Sequence, residues 1–331
     1  MVFHNFARRL SVSARPITCD ILQFFDKWRT LGEAIVHFES YTADSVRASV
    51  SQLLEQGLLV EKNSPQGLRD DRISKEWSPW LPEASFHFST KDPAYVRDHW
   101  TLARQRSVLS KTPQPRIFKT VRGQKTELPV CTLPRSEFCQ VLISRKTHRQ
   151  FSKDPLTVEA MSQLLFLTWS AIGYLQVPVF GRLLHKTSPS GGARHPGEVY
   201  VMALRVKGLQ QGIYYYHPGR HNLTMISNKA TPFQACRYCA HQHYVKEAAA
   251  LFIMTAVFPR TMWKYQHPRA YRVVLLDAGH LCQTFCLVAT WLGLAPFCTA
   301  ALQDTLIEKD LGIDGISESV LYVAGVGLPP A

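Results

Sequence analysis

A chain of 331 residues is too long for one ordinary core and suits two domains, or one large domain with an appendage. Its hydrophobic fraction of 46% and charged fraction of 19% exclude a disordered chain, and no apolar run in the sequence approaches the roughly 20 residues of a membrane helix. A net charge of +13 favours anionic partners (nucleic acid, phosphate-bearing cofactors or acidic peptides) without choosing among them.

The first 19 residues hold several Arg and Ser and no acid, a faint trait of transit peptides, and read better as an ordinary strand and loop. The first organised unit runs from Pro16 to Asn63. Ile21, Leu22, Phe24, Phe25 and Trp28 form one apolar helical face; Leu31, Ala34, Ile35 and Phe38 form a second. Thr42 or Asp44 caps a third helix with Val46, Val50, Leu53 and Leu54 inward. Gly57 stops it, and Leu58, Leu59 and Val60 start a strand. Three helices and a strand describe a winged helix-turn-helix. Residues 64–135 are rich in proline, with scattered Trp and charge, and read as a connector wrapped on the second domain.

The second domain begins near Ser136. The pattern predicts helices over Ser136–Ile143 and from Leu156 through Ile172, then a Gly-rich loop from Ser188 to Pro196. A strand follows at Glu198–Val206, and a hairpin joins Gly212–His217 to Asn222–Ile226 across Pro218-Gly219. A helix over Pro232–Tyr244 precedes a buried strand, Ala249–Val257; then come a long helix, Tyr271–Leu292, a helix at Thr305–Leu311 and a strand at Val320–Ala324. Mixed elements with a hairpin point to an α+β fold with an antiparallel sheet.

Three segments carry chemistry. In "SRKTHRQFS", Arg145, Lys146 and Arg149 bracket Thr147, a cationic cluster with a hydroxyl that suits a phosphate monoester; a solvated basic turn is the plainer reading. In "SPSGGARHP", two glycines let backbone N–H groups approach a flat or anionic ligand, and Arg194 can sit at a ring edge; a tight structural turn is the alternative. In "WKYQHPRAYR", Lys264 adjoins Tyr265, and an ammonium beside a phenol favours the ionised form that a tyrosine base needs.

Six segments, "SRKTHRQF", "SPSGGARHPGEVYV", "GIYYYHP", "KYQHPRAYR", "LLDAGHLCQ" and "LGLAPFCTAAL", stand in the order and spacing of the SagB-type dehydrogenases, which the chain resembles over residues 138–328. That group lies within the FMN-dependent nitroreductase superfamily and includes azoline oxidases of peptide pathways. The resemblance implies a nitroreductase-like antiparallel sheet flanked by helices in an intertwined homodimer, with FMN at the interface. It implies phosphate and ribityl contacts from Arg145, Lys146, Thr147 and Arg149. It places Pro189, Ser190, Gly191, Gly192 and Arg194 along the isoalloxazine, with Phe297, Cys298, Thr299 and Ala300 on its other side. Gln242 matches a Gln often seen before the buried strand, and Lys264 and Tyr265 match the catalytic Lys-Tyr pair. Asp277 stands where the family often has Glu, and "GVGLPPA" lacks the basic tail of many nitroreductases.

The resemblance also fits the front of the chain, since several peptide-modifying enzymes capture a precursor's leader on a winged-helix element by strand addition. The domain expectation is 1–63 for leader recognition, 64–135 as connector and 136–331 as the FMN domain. The expected function is a cytoplasmic oxidation of azolines to azoles in a ribosomally made precursor peptide, with Tyr265, helped by Lys264, as base and oxygen reoxidising the flavin. Other maturation enzymes are expected partners; a membrane is not. One alternative is reduction of a dehydroamino acid or other activated alkene, using NAD(P)H. Another is a DNA-binding redox sensor, which the helix "DSVRASVSQLLEQ" disfavours by offering only Arg47 as a cation. Cys236 and Cys239, with His241 and His243 nearby, form at most a zinc half-site, and no metal is expected; Cys139, Cys282 and Cys286 read as reduced, buried thiols. His280 reads as a structural histidine.

Overall fold

A computed structural model describes residues 1–93, 103, 106–107, 110–111, 115–119 and 122–330. The central part of the expected connector lies outside the described residues. The chain enters as a hairpin, β1 (Val2–Asn5) and β2 (Leu10–Ser13). Helices α1 (Ile17–Phe24), α2 (Leu31–His37) and α3 (Ala43–Glu55) follow. Thr30 and Glu33 form a reciprocal capping box on α2, and the Thr42 hydroxyl accepts from the Ser45 amide at the start of α3. Their inward residues Phe24, Ala34, Val46 and Val50 make one small core.

The strand expected at Leu58–Val60 does not form. Gly57 takes φ 70° after α3, and the amides of Leu58 and Leu59 donate to the Leu53 carbonyl at 2.9 and 3.1 Å. Those amides are engaged in closing the helix end and are lost to a ladder. The sheet beside the three helices is instead the amino-terminal hairpin, whose Asn5 side chain donates to the Gly57 carbonyl at 2.8 Å.

Part of the supposed connector is helical: α4 (Pro65–Glu76) and α5 (Leu81–Ser89), joined by a 3₁₀ turn at Ser78–Trp80. The prolines that read as loop punctuation occupy first turns, where a missing N–H costs nothing; Pro65 follows the capping Ser64, and Pro82 opens α5. Trp77, Trp80, Ala84 and Phe88 are buried against Phe258, Tyr271 and Ile316.

The larger unit contains α6 (Glu137–Ser144), β3 (Leu156–Thr157), α7 (Val158–Trp169), β4 (Gly173–Val177), β5 (Gly181–His185), β6 (Gly197–Ala203), β7 (Val206–Lys207), β8 (Gly212–His217), β9 (Asn222–Ser227), α8 (Pro232–Tyr238), β10 (Ala250–Val257), α9 (Phe258–Met262), α10 (Ala270–Trp291), β11 (Ala295–Thr299), α11 (Asp304–Leu311) and β12 (Glu318–Gly327). Six strands form an antiparallel sheet in the order β11-β12-β10-β6-β8-β9. Helices α7 and α10 cover one face through Trp169, Phe252 and Phe285. Residues of α8 and α11, among them Tyr238 and Ile307, close the other with Phe297 and Val323. The β4–β5 hairpin stands outside this sheet, and the "APFCT" run, for which the sequence pattern predicts no element, is edge strand β11.

Helix α10 corrects the expectation on apolar length: by length and composition it is long and apolar enough to cross a membrane. Here it lies on the sheet with Val274, Cys282, Phe285 and Ala289 buried, while Leu275, Leu276 and Trp291 remain exposed.

Candidate active site

The cationic segment leaves α6 at Arg145, which has extended backbone (φ −54°, ψ 118°). The His148 amide donates to the Pro296 carbonyl at 2.9 Å and so fixes residues 145–149 beside β11. Lys146, Thr147 and Arg149 are exposed, and the Arg149 guanidinium sits 5.8 Å from the Tyr244 ring. From there a polar chain runs inward. Tyr244 Oη donates to Gln242 Oε1 at 2.7 Å, and Gln242 Nε2 donates to Thr299 Oγ1 at 2.7 Å. The Ala301 amide donates to the same hydroxyl at 3.1 Å, and Tyr244 meets Phe297 edge-on at 5.1 Å. Gln242 and Thr299 are buried with their polar atoms paired, as buried polar groups must be. Residues far apart in sequence, 145–149, 242 and 297–301, thus form one cluster.

A second cluster surrounds the Gly-rich loop. Ser190 Oγ donates to Asp277 Oδ2 at 2.5 Å and the Gly191 amide to Asp277 Oδ1 at 3.3 Å, while Ser190 Oγ accepts from the His195 amide at 2.9 Å. Burial raises the Asp277 carboxyl, and the hydrogen bonds from Ser190 and Gly191 partly offset that. Gly192 has φ 61°, a left-handed conformation that suits glycine. A Cβ there would lie 2.4 Å from the Tyr265 hydroxyl and 2.9 Å from the Lys264 ammonium. The loop backbone therefore packs directly on the Lys-Tyr pair.

Lys264 and Tyr265 hang from the end of α9, both amides donating to the Thr261 carbonyl. Lys264 Nζ lies 4.2 Å from the Phe180 ring centre and 5.4 Å from that of Tyr265. Arg194 turns back over Trp263 at 4.6 Å and donates to the Arg260 carbonyl at 2.8 Å. Arg260 in turn pairs with buried Glu198 and donates to the His195 carbonyl at 3.1 Å. Pro189 borders a small buried space with Lys186 and His195, where burial lowers Lys186 to about 8 and His195 to about 4.

Both clusters touch α10. Asp277 anchors the loop, and nine residues on, about 13 Å along the axis, Cys286 faces Cys298 with the sulfurs 3.9 Å apart. Side chains alternate along β11, so Phe297 and Thr299 face the Gln242 chain while Cys298 turns toward α10. Contacts with Cys282 and Cys286 favour a thiolate on Cys298, while those with Cys286 and Cys298, and then burial, push the Cys282 thiol up. Cys236 and Cys239 lie elsewhere, buried, with the Cys239 thiol raised by burial. His280 is exposed, its Nδ1 4.0 Å from Asp277.

Four participants escaped the sequence reading. Asp277 was noted only as a departure, though a lone acid in an apolar helix signals a buried partner. Arg260 and Phe180 gave no signal. Trp80, whose indole donates to the Tyr265 carbonyl at 2.9 Å, was marked by the "WSPW" pair of Trp77 and Trp80.

Comparison with known proteins agrees with this architecture. The sequence model of the nitroreductase family matches residues 142–328. The trifolitoxin-processing protein TfxB of Rhizobium leguminosarum bv. trifolii is 27% identical over 91% of this chain and 85% of its own length. A Methanocaldococcus jannaschii protein named as a nitroreductase is 31% identical over 58% of this chain and 92% of its own length. Among solved structures, a chain of the Escherichia coli microcin synthetase McbBCD complex with truncated pro-MccB17 bound superposes with a TM-score of 0.51, at 20% identity, over 84% of this chain and 98% of that one. The antiparallel sheet flanked by helices is the nitroreductase-like α+β fold expected from the sequence, an oxidoreductase fold, and the chain belongs to the nitroreductase family.

Proposed function

We propose that this chain is a SagB-type, FMN-dependent dehydrogenase that oxidises azolines to azoles in a ribosomally made precursor peptide. The observation that carries the reading is the contact of the Gly192 backbone with Lys264 and Tyr265, which leaves no room for a Cβ. A flat ligand laid on that glycine loop has a phenol and an ammonium at its edge. The donor set fits FMN as well. Arg145, Lys146 and Arg149 supply three cations with no acid between them, and Gln242 and Thr299 hold the neighbouring polar chain rigid. FMN, when bound, supplies a two-electron acceptor.

In this reading Arg145, Lys146, Thr147 and Arg149 hold the phosphate end. Phe297, Thr299, Ala300 and the Cys298 backbone lie beside it, with Gln242 positioning Thr299. Pro189, Ser190, Gly191, Gly192 and Arg194 form the platform for the ring. Tyr265 Oη accepts the proton alpha to the azoline carbonyl, with the Lys264 ammonium 5.4 Å from its ring centre. The two clusters are half-sites about 13 Å apart along α10, and a homodimer brings one from each subunit together. Exposed Leu276 and Trp291 on α10 and Phe138 and Ile143 on α6 are apolar side chains suited to that contact.

Residues 1–63 are assigned to leader capture. Beside the edge of β2 lies a groove of about 520 Å³ bordered by Ser13, Arg15, Ile21, Tyr41, Val50 and Leu53. An extended peptide laid there adds a strand to the hairpin and sinks apolar side chains between α1 and α3. The processing role of TfxB and the pro-MccB17 bound to the microcin synthetase complex support a peptide substrate and companion maturation enzymes.

The test is mass spectrometry of a leader-bearing azoline peptide, reading the loss of two hydrogens per ring. Tyr265→Phe is expected to lower kcat by about 10²-fold or more while retaining bound FMN. An unchanged rate in Tyr265→Phe removes its role as base. Turnover that needs NAD(P)H under anaerobic conditions selects alkene reduction instead, and protein that stays colourless with added FMN sinks the cofactor assignment.

A further inference from the structure

Cys282 and Cys286 stand one helical turn apart on α10, and Cys298 faces them from β11. Their three sulfurs all lie within 4.8 Å of one another, and the Cys286–Cys298 separation is 3.9 Å. Zn–S bonds of about 2.3 Å place tetrahedral thiolate sulfurs about 3.8 Å apart, so the Cys286–Cys298 pair already stands at the spacing of ligands around one ion, and the Cys282 sulfur needs a shift of no more than about 1 Å to join it. A disulfide needs an approach to about 2 Å and would leave the third thiol over.

We propose that Cys282, Cys286 and Cys298 form a three-thiolate zinc site that ties α10 to the edge of the sheet. The fourth position is left to water or to a neighbouring oxygen, and Tyr322 packs against the core that holds Cys282 and Cys286. Charge selects the ion. Three thiolates around Zn²⁺ leave one negative charge. Monovalent copper would leave two. Each thiol gives its proton to solvent as its Zn–S bond forms, and no electron moves. The ion sits on the opposite face of β11 from Phe297 and Thr299, and so fixes the strand from behind without entering the Gln242 chain. This assignment is independent of the substrate and of the direction of hydride transfer.

The experiment is elemental analysis of the full-length protein, washed with a weak chelator and loaded with Zn²⁺, beside a Cd²⁺ titration followed by thiolate-to-metal absorption in the ultraviolet. About one chelator-resistant zinc per chain is expected, with near-complete loss in Cys298→Ser and Cys286→Ser. Cys139→Ser and the pair Cys236→Ser with Cys239→Ser keep the metal. Far-ultraviolet circular dichroism and the denaturant midpoint, read separately, show that the variants remain folded. Should Cys286→Ser fail to fold, Cys298→Ser, at an only partly buried position, and the wild-type Cd²⁺ titration carry the test. Wild-type protein that binds neither ion overturns the site. So do copper retained in place of zinc, zinc that survives Cys298→Ser, and a mass two hydrogens lighter from a disulfide among the three.

Discussion

Two regions precede the segment matched to the nitroreductase family, and they are attached differently. The helices α1–α3 share a core of four buried residues, Phe24, Ala34, Val46 and Val50, and border an open groove. Helices α4 and α5 have little core of their own and lend their largest side chains to the sandwich. Trp77 Nε1 donates to the Ile316 carbonyl at 3.0 Å, Trp80 Nε1 to the Tyr265 carbonyl at 2.9 Å, and His87 shares a hydrogen bond with the Tyr271 hydroxyl at 2.9 Å. The first region meets its surroundings through polar contacts, such as Trp28 to Asp71 and Arg9 to Asp92, and through one partly buried apolar contact, Phe6 stacked on Phe88 at 6.4 Å. Buried aromatic area stabilises far more than exposed polar pairs do. The packing thus argues that residues 65–89 belong energetically with the sandwich and that α1–α3 form an appendage.

The largest expected effect breaks the tighter attachment. Trp80→Ala removes a fully buried indole and should cost about 3–5 kcal/mol, read as an earlier midpoint of the whole sandwich in denaturant. Trp80→Phe keeps most of the packing but frees the Tyr265 carbonyl, so activity should fall more than stability. If Trp80→Ala unfolds no earlier than the parent, α4 and α5 are not part of the sandwich's cooperative unit.

That contrast also explains what was legible in the sequence. Five of the six strands of the main sheet, and α10, were read within a few residues because β10 is a continuous buried run and α10 has strong helical periodicity. Residues 65–89 were misread because their burial depends on Trp77, Trp80, His87 and Phe88 meeting Phe258 and Tyr271, far along the chain. At the site, the motifs located the loop and the Lys-Tyr pair. Their contact through Gly192 and the anchoring of Ser190 by Asp277 are tertiary facts with no local signal. The Cys282–Cys286–Cys298 cluster was hidden for the same reason: two members share a helix, and the third arrives on a strand that the sequence pattern did not mark.

A smaller effect comes from the polar seam between α4 and the loop before β12. Arg72 pairs with Asp314 at 2.5 Å and donates to Ser317 Oγ at 2.8 Å. Burial opposes ionisation of Asp314, but the amides of Ile316 and Glu318 and the Arg72 guanidinium outweigh it and hold the carboxyl at about 2. A folded-state value below the unfolded one, about 3.9, means that the linkage contributes fully above about pH 4 and is lost as pH falls through 2. Acid titration of stability in the parent and Asp314→Asn should therefore converge toward pH 2 and separate above pH 4. A gap that stays constant across that range would show that Asp314 does not titrate with folding.

The smallest effect probes the looser region. The Thr42 hydroxyl accepts the Ser45 amide at 3.3 Å and orders the first turn of α3, which carries Val46, Val50 and Leu53 inward. Thr42→Ala should cost about 1 kcal/mol, felt locally, because so small a core has little stability in reserve. Hydrogen exchange should accelerate about five-fold in the α3 amides and stay unchanged in β10 and α10. Acceleration that spreads to β10 would mean that the three helices and the sandwich open together, and the appendage would have to be redrawn as part of one cooperative body.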